Sequence, residues 1–386
     1  MELTEDFIMK TKIYLSVAHL SGKEKEYISE AIDSNWITTA GPQIERFEKE
    51  LKSFLDTEKS VVTISSGTAA LHLALVDLNI EPGDEIICQD LTFVATINPV
   101  KYVGATPVLV DSEKDTWNIS PEILEAAIID RMKKTGKKPK AIIAVDLFGM
   151  PSRLPELSKV AVNYEIPLIE DAAEALGSYI TINNRKKFCS TFGDCGYLSF
   201  NGNKIITAST GGALVCRDEV QASRIRFFSG QAKDSAPHYQ HSQLGYNYNL
   251  SNICAAVGLA QMEVLQKYVD RRREINYLYR SELARRTDLK FQNEPPNFFS
   301  NYWLTCILFQ TEYLRDAVKI HLEKNGVESR PVWKPMHLQP LYKDSPYYGG
   351  KFGESLFSKG LCLPSSSSLQ DDDIRYIAAL IDRILR

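Results

Sequence analysis

The sequence has no excess of positive charge, and this absence bears on the class of partner. Its 386 residues contain 45 Lys and Arg against 49 Asp and Glu, which gives a formal net charge of −4. Nucleic-acid-binding domains usually carry a basic surface, so we expect no nucleic-acid partner. No apolar run approaches the length that a membrane-spanning helix needs, and we expect no membrane partner either.

The cysteines lack the spacing of a metal site or of a disulfide framework. None of the seven forms a C-x-x-C pair, and none lies at zinc-ligand spacing from a histidine. We therefore expect no bound metal and no disulfides. The odd number of cysteines and the lack of a secretory leader predict a protein of the reducing cytoplasm.

The common nucleotide-binding fingerprints are also absent. The chain contains neither G-x-G-x-x-G nor G-x-x-x-x-G-K-[ST]. A phosphate bound by this chain therefore need not belong to a dinucleotide.

What the sequence does contain is a repeated alternation of β-branched runs and helical patterns. Helical patterns occupy 68–78, 121–134 and 155–164. Such alternation predicts an α/β fold with a mostly parallel seven-stranded sheet between helices. The predicted strands lie at 60–67, 84–90, 106–111, 140–149, 166–173, 195–200 and 211–216.

The alternation of strands and helices ends near residue 260. A long charged helical pattern runs over 261–286, and a final helix is predicted at 371–385. We predict a large α/β domain over 1–260 and a smaller C-terminal α+β domain over 261–386. The charged run DRRRE at 270–274 is interpreted as a solvated helix face.

The first predicted strand leads into a helix start that could bind an anion. Ser66, Gly67 and Thr68 follow the β-branched run and open the helix at 68–78. Backbone N–H groups, the helix dipole and a hydroxyl together suit a phosphate. Ordinary helix capping by a hydroxyl remains the alternative.

Asp171 and Phe93 follow two other predicted strands. Asp171 could pair with a protonated ring nitrogen, as pyridoxal 5'-phosphate (PLP) requires, and the small Ala173 beside it leaves room for a flat ring. Capping of a following helix is the alternative for Asp171. Phe93 could stack on such a ring, and its alternative is core packing.

Lys204 follows the strand at 195–200, with Ser199 shortly before it. A partly buried lysine amine is a better nucleophile because its charged form is poorly solvated, which suits Schiff-base chemistry. PLP requires four features, and the sequence offers all of them. They are an anion cradle, an acid for the ring nitrogen, a flat aromatic side chain and this lysine. Their order on successive strands predicts a PLP enzyme.

A series of motifs extends this prediction over nearly the whole chain. They resemble those of the DegT/StrS-type sugar-nucleotide aminotransferases, a branch of the fold type I PLP enzymes. The motifs are SSGTAALHLAL (65–75), DLTFVATINPV (90–100), IEDAAEALGS (169–178), SFNGNKIIT (199–207), GYNYNLSNICAAVGLAQ (245–261) and SRPVWKPMHLQPLY (329–342).

The resemblance implies a role for each residue that would touch the cofactor ring. Lys204 would bind PLP covalently and carry the proton between cofactor and substrate. Asp171 would pair with the pyridine nitrogen, with Phe93 and Ala173 on opposite ring faces. Glu174 stands where many members have glutamine, next to the phenolic oxygen of the cofactor. A carboxylate there requires a proton or a partner, and we expect Glu174 to share a proton with that oxygen.

The resemblance also implies a phosphate site and a homodimer. The backbone of Gly67 and the hydroxyls of Thr68 and Ser199 would hold the phosphate, and Asn247 would reach it from the neighbouring subunit. Many members of the family carry arginine two residues after that asparagine, where this chain has Asn249. The glycine- and glutamate-rich segment usual after the lysine is altered at 209–212.

The residues of these motifs most resemble those of enzymes in the bacillosamine and legionaminic acid pathways. These aminate C4 of UDP-4-keto-6-deoxy-N-acetylglucosamine, by family habit with glutamate as donor. Arg330, Trp333 and Lys334 are candidates for contacts to the nucleotide, and His238 and Tyr239 belong to a motif with a counterpart in that group. A surface salt bridge is the alternative for Arg330.

Two other functions remain open at this point. The first is a GDP-4-keto-6-deoxymannose 4-aminotransferase of the perosamine synthase type. The second is a PLP-binding sensor or regulatory protein without turnover. Sugar dehydration is disfavoured, because the dehydratases of this fold carry histidine where this chain has Lys204.

Overall fold

The computed structural model describes residues 12–385, which form a layered α/β structure. Three short 3₁₀ helices cover Val94–Thr96, Leu147–Gly149 and Met336–Leu338. The α-helices are α1 (Glu24–Asp33), α2 (Pro42–Phe54), α3 (Gly67–Asp77), α4 (Asn98–Tyr102), α5 (Pro121–Thr135), α6 (Leu154–Tyr164), α7 (Glu219–Ser229), α8 (Asn252–Met262), α9 (Leu265–Glu282), α10 (Glu312–Lys324), α11 (Phe352–Lys359) and α12 (Asp371–Ile384).

The strands alternate with these helices in the first half of the chain, as the sequence predicts. They are β1 (Ser60–Ile64), β2 (Glu85–Gln89), β3 (Thr106–Val110), β4 (Ala141–Val145), β5 (Leu168–Asp171), β6 (Tyr179–Ile182), β7 (Arg185–Phe188), β8 (Cys195–Ser199), β9 (Gly212–Cys216), β10 (Lys290–Phe291), β11 (Phe298–Phe299), β12 (Thr305–Leu308), β13 (Arg330–Pro331), β14 (Tyr347–Tyr348) and β15 (Gly360–Leu363).

The main sheet has the strand order β1-β9-β8-β5-β4-β2-β3-β14. The pairs from β8 through β14 are parallel, whereas β9 runs antiparallel to both β8 and β1. The predicted strands therefore form one mostly parallel sheet, and the fold prediction is confirmed. The carboxyl ends of the parallel strands lie along a common edge, where Asp171 and Ser199 end β5 and β8.

The sheet is buried on both faces because helices cover both. Every residue of β4 is buried, and its run of Ala, Ile and Val matches a strand packed on two sides. One apolar cluster joins α3 and α7 to the sheet, and another joins α5 and α6 to its other face. Helix α3 has buried residues almost all round, which is why its sequence has no polar stripe.

The sheet has one strand more than the predicted seven. Strand β14 consists only of Tyr347 and Tyr348 and pairs in parallel with Leu109 and Val110 of β3. A two-residue strand leaves no periodic pattern, because its pairing is set by the packing of the C-terminal part and not by local preference.

The C-terminal part contains its own antiparallel sheet, with the order β10-β12-β15-β13. Residues Ile275, Tyr279, Val318, Leu322 and Ile377 belong to an apolar cluster around it. The helical pattern predicted over 261–286 is divided, with α8 ending at Met262 and α9 beginning at Leu265. The domain boundary near residue 260 stays a prediction.

The prediction of a solvated face for DRRRE is wrong for one residue. Asp270 and Glu274 are exposed, but Arg272 in the same run is only 1% exposed. A turn of helix presents residues to all sides, so a run of five consecutive charges cannot lie on one face.

The helices bear on the expectation that the protein has no membrane partner. Within residues 12–385 there is no helix of the length and apolar character required to cross a membrane. The expectation that no secretory leader is present concerns N-terminal residues, of which 1–11 lie outside the described part of the chain.

Candidate active site

A cavity of about 300 Å³ lies at the carboxyl edge of the main sheet. It brings together every residue predicted from one subunit to touch the cofactor. These are Gly67, Thr68, Phe93, Asp171, Ala173, Glu174, Ser199 and Lys204.

The start of α3 builds the predicted phosphate cradle. Ser66 caps this helix, and its Oγ accepts a hydrogen bond of 3.1 Å from the N–H of Ala69. Capping and anion binding are compatible, because the N–H groups of the first turn have no acceptor within a helix. A Cβ atom added to Gly67 would lie 3.1 Å from Cβ of Ser199, so glycine allows the helix start to approach β8. Thr68 and Ser199 both line the cavity beside this glycine.

Asp171 is a buried acid without an ion pair in residues 12–385. Its side chain accepts hydrogen bonds from the Thr96 hydroxyl (2.6 Å, to Oδ2) and from the Ala173 N–H (3.1 Å, to Oδ1). Burial raises the pKa of Asp171, because the charged form loses solvation. No helix begins after Asp171, so the capping alternative is wrong. A cationic ring nitrogen beside this carboxylate would compensate its charge, which fits PLP.

Lys204 lies in a tight turn directly above the cavity. Its N–H donates to the carbonyl of Asn201 at 2.9 Å, and its side chain is 14% exposed. The Nζ atom lies 3.5 Å from Oε1 of Glu174 and 4.3 Å from the ring centroid of Trp303. The amine is therefore directed into the cavity between a carboxyl group and an aromatic face.

Glu174 is held by the backbone of the 3₁₀ helix Leu147–Gly149. The N–H of Phe148, which has a φ of 57°, donates to Oε2 of Glu174 at 2.8 Å. Burial raises the pKa of Glu174, although the nearby Lys204 acts in the opposite direction. A carboxyl group with a raised pKa is suited to share a proton with a second acid.

Phe93 does not pack in the core. It is 51% exposed, and its ring centroid lies 5.6 Å from that of Trp333 at the cavity. The core-packing alternative is therefore wrong. Its stacking on a cofactor ring stays a prediction.

A second cavity of about 500 Å³ adjoins the first. Asn203, Trp303 and Trp333 line both cavities, while Arg330 and Lys334 line only the second. The indole N–H of Trp333 is buried and has no acceptor within residues 12–385.

Arg330 forms the ion pair that the sequence left as an alternative. Its Nη2 lies 3.0 Å from Oε1 of Glu328, and its side chain is 63% exposed. Such exposed pairs contribute only about 0–1 kcal/mol to stability, so this contact leaves the guanidinium available for an anion.

Three predicted residues do not line the cavity of their own chain. His238 and Tyr239 lie on an exposed segment after α7, and Tyr239 is 82% exposed. Asn247 is exposed beside Gly230. The expectation places Asn247 in the neighbouring subunit, and it stays a prediction. Asn249, where arginine is common, accepts a 2.6 Å hydrogen bond from the Ser229 hydroxyl and so has a structural partner.

Several cavity residues were missed by sequence reasoning. Thr96 follows Phe93 in the motif at 90–100. Its short distance from Phe93 along the chain could have indicated that it lies at the same cavity. Tyr197 precedes Ser199 by two residues on β8, on the same face of the strand. Trp303 has no local signal, because it reaches the site from the segment between β11 and β12.

Three potential metal ligands, Asp146, Glu170 and Cys189, meet in the core within 4.8 Å. Burial, followed by repulsion from Glu170, raises the pKa of Asp146 well above its usual range. Glu170 accepts backbone hydrogen bonds from Ser190 and Phe192, which favour its charged form. A proton on Asp146 accounts for this pair. The expected absence of a metal stays a prediction.

The chain places a capped helix start, a buried acid and a lysine around one cavity at the edge of a mostly parallel sheet, and this arrangement fits a PLP-dependent enzyme of fold type I. Similarity to known proteins leads to the same class. The model of the DegT/DnrJ/EryC1/StrS aminotransferase family matches residues 19–382, so the chain belongs to this family. It is a PLP-dependent aminotransferase, as the sequence predicted.

Known relatives match over almost their full lengths. The chain is 45% identical to the putative pyridoxal phosphate-dependent aminotransferase EpsN of Bacillus subtilis (strain 168), covering 95% of this chain and 94% of that protein. It is 38% identical to GDP-perosamine synthase of Escherichia coli O157:H7, and the match covers 94% of this chain and 96% of that protein. The PLP form of the putative sugar aminotransferase Spr1654 of Streptococcus pneumoniae superposes with a TM-score of 0.88 at 25% identity, covering 97% and 100%.

Proposed function

We propose that this enzyme transfers an amino group from glutamate to the C4 ketone of a nucleotide-linked 4-keto-6-deoxy sugar. UDP-4-keto-6-deoxy-N-acetylglucosamine is the acceptor that we favour. The observation that carries the proposal is the pair of adjoining cavities with the shared walls Asn203, Trp303 and Trp333. A reacting sugar carbon fits beside Lys204 while the rest of a long substrate extends into the second cavity.

The second cavity has the chemistry that a nucleotide diphosphate needs. Arg330 and Lys334 supply positive charge, and the ring of Trp333 supplies an apolar face for a base or a sugar. The unpaired indole N–H of Trp333 is a donor for a substrate oxygen, and burial without such a partner is unfavourable.

In the proposed mechanism each half-reaction uses the same side chains. PLP, when bound, supplies an electrophilic carbon and an electron sink for the substrate carbon. The amine of Lys204 holds the cofactor and then moves the proton to and from the reacting carbon as general base and acid. Asp171 would keep the ring nitrogen protonated, and Gly67, Thr68 and Ser199 would hold the phosphate.

Glu174 would hold a proton at the oxygen next to Lys204. Its Oε2 is occupied by the Phe148 N–H, so only Oε1 faces the lysine. In the first half-reaction glutamate would give up its nitrogen at the site, take an oxygen atom from water and leave as 2-oxoglutarate. In the second the sugar ketone would take that nitrogen, and its oxygen would leave as water.

The alternative acceptor is GDP-4-keto-6-deoxymannose. Its support is the 38% identity with a GDP-perosamine synthase over almost the full chain. The two cavities accommodate either nucleotide, since charge and aromatic faces serve both diphosphates and both bases.

The test is a visible spectrum of the PLP-loaded protein, recorded after glutamate and then after each sugar nucleotide. We expect glutamate to bleach the band and the UDP-linked ketone to restore it. Recovery only with the GDP-linked ketone would assign the alternative substrate. A band that glutamate never bleaches would indicate a PLP-binding sensor without turnover.

We further propose that the enzyme acts as a cytoplasmic homodimer with shared sites and with the domain boundary near residue 260. Support comes from the exposure of Asn247 and of the segment with His238 and Tyr239, which leaves them free to reach a partner chain. Mixing inactive Lys204→Ala with inactive Asn247→Ala protein tests the sharing. Recovery of activity in the mixture is expected, and its absence would refute shared sites.

A further inference from the structure

Arg272 is a buried cation for which the described part of the chain offers no counter-ion. It lies on α9 with 1% of its surface exposed, and its Nε–H has no acceptor within residues 12–385. Burial lowers its pKa to about 9. Burying such a charge is unfavourable, because the guanidinium loses its hydration. Its hydrogen bonds therefore indicate what it does.

The guanidinium lies in a closed ring of hydrogen bonds. Its Nη1–H donates to the carbonyl of Trp303 at 2.5 Å, and its Nη2–H donates to Oγ of Ser16 at 3.3 Å. The Ser16 hydroxyl and the Trp303 indole N–H then both donate to the carbonyl of Asn203, each at 2.7 Å. Arg272 is therefore linked by two routes to one carbonyl oxygen.

That carbonyl belongs to the peptide bond that carries the nitrogen of Lys204. The ring of hydrogen bonds thus fixes the backbone directly before the lysine. Trp303 acts a second time, because its ring lies 4.3 Å below the Nζ atom. One indole group holds the peptide through its N–H and the amine through its face.

We propose that Arg272 is a positioning residue for Lys204. It sets the Ser16 hydroxyl and the Trp303 indole, and through them the direction of the lysine amine. This inference rests on the proposed role of Lys204.

Arginine suits this task better than lysine does. Its planar fork donates in two fixed directions at once, whereas a lysine ammonium is a single point on a flexible chain. The carbonyl of Trp303 and the hydroxyl of Ser16 lie on two different segments, so a fork is needed to join them.

The test compares Arg272→Met and Arg272→Lys with a matched control on the same helix, Arg271→Met. Arg271 pairs with Asp371 and Glu274 and has no contact to the ring of hydrogen bonds. For both Arg272 variants we expect kcat to fall by about tenfold with little change in KM for glutamate, since a displacement near 1 Å costs up to about 10²-fold. The control should match the unsubstituted enzyme.

A readout on the apoprotein separates positioning from general damage. Reductive methylation with formaldehyde and cyanoborohydride, read by mass spectrometry, compares Lys204 with Lys59. We expect methylation of Lys204 alone to accelerate, by about threefold or more, because local opening exposes its amine. The Tm should change little, since Arg272→Met removes a costly charge but leaves the carbonyl of Trp303 unpaired.

Ser16→Ala keeps the inference falsifiable should the Arg272 variants fail to fold. It should lower kcat in the same way, and in a foldable double variant its effect should not add to that of Arg272→Met. Unchanged kcat and methylation in Ser16→Ala would overturn the inference. If Lys204→Ala kept its activity, the proposed function itself would fail instead.

Discussion

The hydroxyl of Thr96 donates a 2.6 Å hydrogen bond to Oδ2 of Asp171, although 75 positions separate the two residues in the chain. Thr96 ends the 3₁₀ helix after β2, and Asp171 ends β5. The contact joins the loop that carries Phe93 to the acid at the floor of the cavity. One hydroxyl therefore connects two of the predicted cofactor contacts.

Removing this hydroxyl should weaken cofactor binding. Thr96→Val keeps the shape but takes away a donor to the charged carboxylate, which is worth about 1.5–3 kcal/mol. We expect the Kd for PLP to rise by about tenfold or more, as measured by titration of the apoprotein. Thr96→Ser should restore most of the affinity. Equal affinity in the valine variant would contradict this role.

Lys204→Ala should abolish transamination. The amine is both the covalent attachment point and the proton carrier, and general acid–base catalysis alone is worth about 10²–10⁴-fold. The expected result is a loss of at least about 10³-fold in kcat together with loss of the visible band that depends on the lysine. Lys59→Ala is the control, because the amine of Lys59 donates to the carbonyl of Gly193 and lies outside the lining of the cavity. Full activity in Lys204→Ala would show that another group is the nucleophile.

Glu174→Gln should change the pH titration of the bound chromophore. The carboxyl group lies 3.5 Å from Nζ of Lys204, and once it releases the proton that it would share, its negative charge favours protonation of a neighbouring nitrogen. Replacing it with a neutral amide should lower the midpoint of the absorbance change by about one pH unit. The spectrum is recorded from acid to alkaline pH for both proteins. Identical midpoints would show that Glu174 shares no proton at this site.

Asp146→Asn should remove a pH dependence of stability. The pKa of Asp146 is raised in the folded protein, chiefly by burial, so the folded state binds its proton more tightly than the unfolded state does. The tighter proton binding stabilises the folded protein. This contribution to the free energy of unfolding is fully present below the usual pKa range of aspartate and is lost as the pH rises through the pKa of Asp146 in the folded protein. Asparagine carries no such proton equilibrium, and its Nδ2–H can donate to Glu170.

The measurement is the free energy of unfolding at several pH values from about 4 to about 8. The wild type should lose stability relative to Asp146→Asn by about 1.4 kcal/mol for each unit of raised pKa that the range covers. The exposed Asp372→Asn serves as control. Parallel stability curves for wild type and Asp146→Asn would refute the shared proton.

The long strands, and the residues that the cavity brings together, could be predicted because short local patterns mark them. Strand β4 is a run of buried apolar residues, and Lys204 stands alone after a polar turn. Trp303 and Arg272 could not be predicted, because tertiary packing brings each to the site from a distant segment. Arg272 was also misread, since the charges around it suggested a solvated face.

The two-residue strand β14 has a consequence beyond the strand count. By pairing with β3 it covers what would otherwise be a bare edge of the main sheet, with the free N–H and C=O groups that promote intermolecular pairing. The C-terminal part of the chain thus protects the N-terminal part from self-association. Until the second half of the chain has been synthesised, this part of the β3 edge lacks its partner strand and can pair with another chain.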